Sequence, residues 1–249
     1  MHIASIKTDK ILPGDEPDLY QLLATSLQAV QENTVILVTS KVVSICEGRY
    51  IKIGDIDKDE LIARESERFL SRTKNKFNVT VTIARGIFGA GAGVDESNGN
   101  GYYILWPEDP QKSANAIRNY IREKFGLKNV GVVITDSKTT PLRWGVTGVS
   151  LAHTGFNALK DYIGTPDIFG RDFQFEKLNV ADALATAGVL VMGEGSEQTP
   201  LAMITDIPTI TFQESDPTEE ELNALRITLD DDLYGEFLKN APWEKGKGK

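Results

Sequence analysis

The run Val132-Val133-Ile134-Thr135-Asp136-Ser137 constrains the fold most. Its apolar part is continuous, so it reads as a buried strand. It ends in a carboxylate, where the backbone is expected to turn. A second aspartate, Asp95, sits in the loop Gly91-Ala92-Gly93-Val94-Asp95-Glu96-Ser97-Asn98-Gly99-Asn100-Gly101, with glycines on both sides. A strand-end Asp facing an Asp in a glycine-rich loop is a common way to hold a divalent metal against phosphates. The pair points to nucleotide-dependent chemistry.

The rest of the chain is read around these two points. Thr34–Thr39 is a β-branched apolar run, hence another buried strand, and it delivers Ser40-Lys41 at its end. Ile11-Leu12-Pro13-Gly14-Asp15 reads as a strand end and turn. Apolar spacing predicts helices over 16–31, 57–71 and 179–192. Ala114, Ile117, Ile121 and Phe125 predict another that stops at Gly126. Strands are expected at 79–84, 102–106 and 201–205, and a small-residue helix at 150–162. Strands and helices alternate irregularly, which favours α+β over a doubly wound sheet. After Gln213 the chain turns acidic and polar. The expected division is a catalytic domain over 1–213 and an acidic, partly flexible segment over 214–249, with the last few residues disordered.

Absences narrow the chemistry. There is no Gly-x4-Gly-Lys-Ser/Thr run and no clean Gly-x-Gly-x-x-Gly between a strand and a helix. Only His2 and His153 exist, which excludes a histidine-rich zinc site and gives a Ser-His-Asp triad little support. Catalysis must rest on carboxylates, Lys/Arg, backbone amides and a metal. The net charge of −9 argues against nucleic acid and anionic membranes as partners. No window approaches a membrane span, and the charged stretch 1–12 predicts no signal peptide. The single cysteine, Cys46, reads as a small buried hydrophobe and fits a reducing cytoplasm.

Asp95 would ligate metal, and Asn98 would hydrogen-bond a phosphate or a base; a plain Gly/Asn/Asp turn explains the same residues. Asp136 and Ser137 can share metal ligation, or form a turn. Arg143 can hold a phosphate or substrate carboxylate, or be an ordinary surface arginine. Gly193-Glu194-Gly195-Ser196-Glu197-Gln198-Thr199-Pro200 offers glycines for phosphates and a glutamate for a second cation, or is a polar loop.

Taken in order, Ser40-Lys41 through Glu47-Gly48-Arg49, Ala92 to Asn98, Ile134 to Ser137, Asp161 to Arg171 and Val191 to Gly195 form one set. With it the chain resembles the CofE-type γ-glutamyl ligases, which add L-glutamate to coenzyme F-420 precursors. The run Asp95 to Pro107 is similar also to a branch assigned to folate γ-glutamate ligation. The resemblance implies a GTP-dependent enzyme (ATP being the other nucleotide), Mg²⁺ or Mn²⁺, a monovalent cation, and an intertwined homodimer of two-subdomain α+β subunits. It implies that Leu12, Pro13, Gly14, Asp15, Ser40 and Lys41 line the nucleotide and that Asn98 contacts it. Asp95 and Asp136 would hold the first metal, Ser137 and Glu194 the second. Gly193, Gly195 and Ser196 would close over the phosphates. Asp95, Asp136 and Lys41 would carry catalysis, and Arg143 is the substrate-binding candidate. Two positions depart from the family pattern: Ile45 stands where a nucleotide-binding lysine is common, and Ser137 where threonine is. The reaction implied is ligation of L-glutamate to a carboxylate acceptor, F-420 precursor or folate. The other reading is a nucleotide- and metal-binding relative without ligase activity.

Overall fold

Two β-branched runs set the frame. Strands β2 (Thr34–Thr39) and β8 (Val130–Thr139) pair in parallel. Around them lie β12 (Leu201–Thr205), β1 (His2–Ile6) and β9 (Val146–Thr154), giving the order β1-β12-β2-β8-β9 with antiparallel neighbours elsewhere. The computed structural model describes residues 1–248.

Helices cover both faces of this sheet. Ile36, Val38, Val130, Val132 and Ile134 meet α1 (Leu19–Ser26), α2 (Ser40–Cys46) and α4 (Pro110–Phe125). Val35, Leu37 and Val133 meet α5 (Val180–Met192) on the other side. A parallel pair buried on both faces has no polar face to show, which is why its sequence is continuously apolar. Helix α5 lies close: a Cβ on Gly188 would fall 2.3 Å from Leu37 Cδ2.

A second, antiparallel sheet holds β4 (Arg68–Leu70), β5 (Val81–Ala84), β6 (Ile87–Ala90) and β13 (Glu244–Lys245), in the order β13-β4-β5-β6. With α3 (Lys58–Glu65) and the pair β3 (Tyr50–Lys52) and β7 (Tyr102–Ile104) it encloses a smaller core of Leu61, Ile62, Val94, Leu105 and Trp106. A hairpin of β10 (Leu159–Asp161) and β11 (Lys177–Asn179) precedes α5. The whole is α+β, as expected. Among the described residues no helix is long and apolar enough to cross a membrane.

Several elements differ from the sequence reading. The helix expected over 57–71 stops at Glu65, because Phe69 and Leu70 pair with β5. The helix expected over 150–162 is instead β9 and β10. Its small residues answer the crowding against α4 and α5, not a helical period; a Cβ on Gly155 would fall 2.5 Å from Arg118 Nε of α4. Helix α1 is shorter than 16–31, capped by Asp18, whose carboxylate accepts from Tyr20 and Gln21. The glycine loop is delivered by β6, an unforeseen strand, not directly by β5. Strand β8 does not end at Thr135 but runs on to Thr139, with a β-bulge in its pairing to β9 at Ile134/Thr135.

The segment after Gln213 contains α6 (Glu219–Ala224) and α7 (Gly235–Asn240) before β13. At the tail, Gly246, Lys247 and Gly248 donate to the carbonyls of Glu67, Ala63 and Ser66. These residues are therefore docked where disorder was expected; Lys249 lies outside the described residues. The near end of the segment is held by Arg118, whose side chain is fully buried. Its guanidinium donates to Val130 O, Gln213 O, Glu214 O and Asp216 Oδ1 at 2.7–3.1 Å.

Replacing Arg118 with Met strands these acceptors. The expected cost is about 2–4 kcal/mol in urea unfolding, with earlier proteolytic cleavage after residue 213. An unchanged midpoint and unchanged protection would show that the clasp holds nothing.

Candidate active site

The extension of β8 past Thr135 places Asp136 inside the molecule, not at a turn. Its carboxylate accepts from the Trp106 indole Nε1–H and from the Ser137 backbone N–H. Trp106 arrives just after β7 and crosses the glycine loop at Gly93. A Cβ there would lie 2.4 Å from the indole, and the backbone has φ +73°, so only glycine suits the position. Two residues on, Asp95 is pinned by two backbone hydrogen bonds to Ile104.

Lys41, the second residue of α2, reaches across to this loop. Its ammonium donates to Asp95 Oδ2 at 2.6 Å and to the Ser97 carbonyl and hydroxyl at 2.8 and 3.0 Å. Ser97 also donates to Asp95 through its N–H and its hydroxyl. Asn98 Nδ2 donates to the Gly195 carbonyl at 3.0 Å, tying the Asp95 loop to the 193–200 loop. Ser137 Oγ donates to Glu194 Oε2 at 3.2 Å. Residues far apart in sequence thus converge as the aspartate and glycine runs suggested.

Two clefts open on either side of this group. The first, of about 630 Å³, is lined by Leu12, Asn98 and the 193–200 loop among others. The second, of about 470 Å³, lies toward the smaller sheet and is lined by Lys58, Arg72 and Gly91 to Glu96. Ser40, Lys41, Asp95, Asp136 and Ser137 line both and form the wall between them.

The structure therefore gathers Leu12, Ser40, Lys41, Asp95, Asn98, Asp136, Ser137, Glu194, Gly193, Gly195 and Ser196 at one place. Pro13, Gly14 and Asp15 form a turn that lines neither cleft; the Gly14 N–H donates to the Tyr50 hydroxyl. Arg143 lies on the exposed β8–β9 turn, also away from both. Ile45 is buried one helical turn after Lys41 and faces the first cleft. Trp106, Lys10, Lys58, Arg72 and Lys138 were not singled out from sequence. Only Lys138 carried a usable signal, its position two residues past Asp136, and that signal depended on knowing that the strand continued.

Electrostatics separate the carboxyls. Burial raises Asp95, but the Lys41 and Ser97 bonds outweigh it and leave the group below its ordinary range. Burial pushes Asp136 up to about 6; Trp106 and Ser137 oppose this, and the Asp95 charge adds to it. Glu194 is raised as well, first by burial. Cys46 is half-buried, not the core residue expected, and desolvation pushes its thiol up to about 11. His153, packed on Phe156, is pushed down to about 4 by burial and lines neither cleft.

The donors Asp95, Asp136, Glu194 and Ser137 are all oxygen, the chemistry of a hard divalent cation. The Asp136 carboxyl is raised first by burial and only secondarily by the Asp95 charge, so its shift is no signature of a cation by itself; the fit rests on the oxygen donors. Among the described residues no three His, Cys, Asp or Glu side chains are already drawn into a ligand cage.

A sequence profile of the F420-0:Gamma-glutamyl ligase family matches residues 5–206, which include every residue of the two-cleft wall. The coenzyme F420:L-glutamate ligase of Methanopyrus kandleri is 38% identical, covering 77% of this chain and 81% of its own. The proteins of that name from Methanococcus maripaludis strain C6 and Methanocaldococcus jannaschii are 32% and 31% identical. They cover 86% and 77% of this chain, and 91% and 82% of their own.

The Asp136 shift has a stability consequence. A carboxyl raised from 3.8 to about 6 holds its proton more tightly in the fold than in the unfolded chain. Its contribution is therefore present below pH 4 and is lost as pH rises to 6. Asp136→Asn lacks this loss. Without added metal, the variant should gain about 1–2 kcal/mol on the parent between pH 4 and 6.5 and then level off, in urea titrations at each pH. A constant difference across that range contradicts the assignment.

Proposed function

This chain belongs to the F420-0:gamma-glutamyl ligase family, and on that premise we propose that it joins L-glutamate to a carboxylate of a coenzyme F-420 precursor at the expense of GTP. The carrying observation is the shared wall: Lys41, Asp95 and Asp136 face both clefts, so groups bound on either side meet across them. In this reading the first cleft takes the nucleotide, with the 193–200 loop beside the phosphates. An acceptor carboxylate oxygen attacks the γ-phosphorus and GDP leaves. The glutamate α-amine then attacks the acyl carbon, phosphate leaves, and the amine proton passes to solvent.

A carboxylate is a poor electrophile until its oxygen becomes a leaving group. The chain's own share is positioning and charge. Lys41 brings a cation to the meeting point, held by Asp95 and Ser97. Asn98 fixes the glycine loop by its bond to Gly195. Asp95, Asp136, Ser137 and Glu194 would hold Mg²⁺ or Mn²⁺, which when bound supplies neutralisation of phosphate charge. Ile45 adds no charge, so Lys41, one turn earlier on the same helix face, serves in place of the common lysine. The exposed Ile168, Phe169 and Phe175, between β10 and β11, support a homodimer.

The test is phosphate release from GTP and from ATP, with L-glutamate and either F-420 precursor or folate, followed by product mass. One added glutamate on the F-420 precursor with GTP is expected. Asp95→Asn and Asp136→Asn should each lower kcat by about 10²–10³-fold or more. Nucleotide binding without product on any acceptor would favour the non-ligase reading, for which buried Ile45 is the supporting observation.

A further inference from the structure

The second cleft contains an ammonium with no counter-charge. Lys138 lies on β8, two residues past Asp136, and is half-buried. Residues two apart on a strand share a face, about 7 Å apart along it. Asp136 and Lys138 therefore present a carboxylate and an ammonium side by side. Both line the second cleft, and Lys138 does not line the first. Its stem passes Gly89, where a Cβ would already touch Lys138 Cβ at 3.9 Å.

The other cations of that cleft are engaged. Lys58 pairs with Glu96 at 3.1 Å, Arg72 with Asp59 at 2.9 Å, and Lys41 with Asp95. Among the described residues the Lys138 ammonium has no ion-pair or hydrogen-bond partner, its backbone alone pairing with β9. An ammonium that lines a cleft without a protein partner is free to pair with an anionic group of a ligand. The cleft is also polarised. Asp95 and Asp136 form its end at the shared wall, and Lys138 lies further out along the strand.

That pattern fits a zwitterion. An amino acid with its amine at the wall would meet Asp136, the wall carboxylate that no cation among the described residues pairs, and a carboxylate at its other end would meet Lys138. This entry also delivers the amine where the first cleft brings a phosphoryl group. L-glutamate carries two carboxylates, and ligation through the α-amine consumes neither. Resting on the ligase reading above, we propose that the second cleft is the binding site for the incoming amino acid and that Lys138 binds one of its carboxylates. Lys138 is then a specificity residue for glutamate and has no part in nucleotide binding.

Lys138→Gln and Lys138→Arg test this in the full chain, with GTP, acceptor and L-glutamate each varied in turn. The glutamine variant should raise KM for glutamate by about 10- to 100-fold, the worth of one charged hydrogen bond. Its kcat at saturating glutamate, its KM for GTP and for the acceptor, and its direct affinity for GTP should stay within about twofold. The arginine variant should recover most of the loss. An unchanged melting temperature shows that folding is intact. An unaltered KM for glutamate in the glutamine variant overturns the proposal. So does a rise confined to GTP or to the acceptor. Absence of any glutamate-dependent product with the parent protein overturns the ligase reading and this site with it, and that failure is visible before either variant is made.

Discussion

The carboxyl of Asp136 is the constraint around which the site is arranged. It is carried into the interior by a strand too apolar to stop short of it, so it needs donors. Its following amide supplies one and Trp106 the other. Keeping the indole there requires the chain to cross it at a residue without a side chain, which is Gly93. The residue after next is Asp95, and its place follows from that crossing. The glycine loop is thus shaped first by a tryptophan.

Much of this was legible, and the reasons are specific. Thr34–Thr39 and the start of β8 could be read because burial on both faces leaves no polar residue in the run. Helix α4 could be read because Ala114, Ile117, Ile121 and Phe125 recur at helical spacing and Gly126 marks its end. Asp95, Asn98 and the 193–200 loop could be read because several glycine and carboxylate runs occur in one order along the chain. Strand β9 could not, because its small residues come from crowding by helices distant in sequence. The end of α3 could not, because β4 exists only through its pairing with β5 and β13. Lys138 was hidden by the same error that ended β8 early. Arg143 had a plausible residue type, but it lies on the exposed turn between β8 and β9.

Three cross-ties hold the wall in place: Lys41 to Asp95, Asn98 to Gly195, and Ser137 to Glu194. Each joins segments separated by more than fifty residues. The 193–200 loop also carries its own anion. Glu197 accepts from the Gly195 N–H, and a Cβ on Gly193 would strike its carboxyl at 2.5 Å. The glycines there admit a side chain of the same loop.

A wall with two faces has a thermodynamic consequence. Any ligand that changes the charge or position of Lys41, Asp95 or Asp136 from one cleft alters what the other cleft presents. The two binding free energies are then not independent, and linkage requires the coupling to be the same in both directions. The path for such coupling is the five side chains that line both clefts, the shortest the fold could offer.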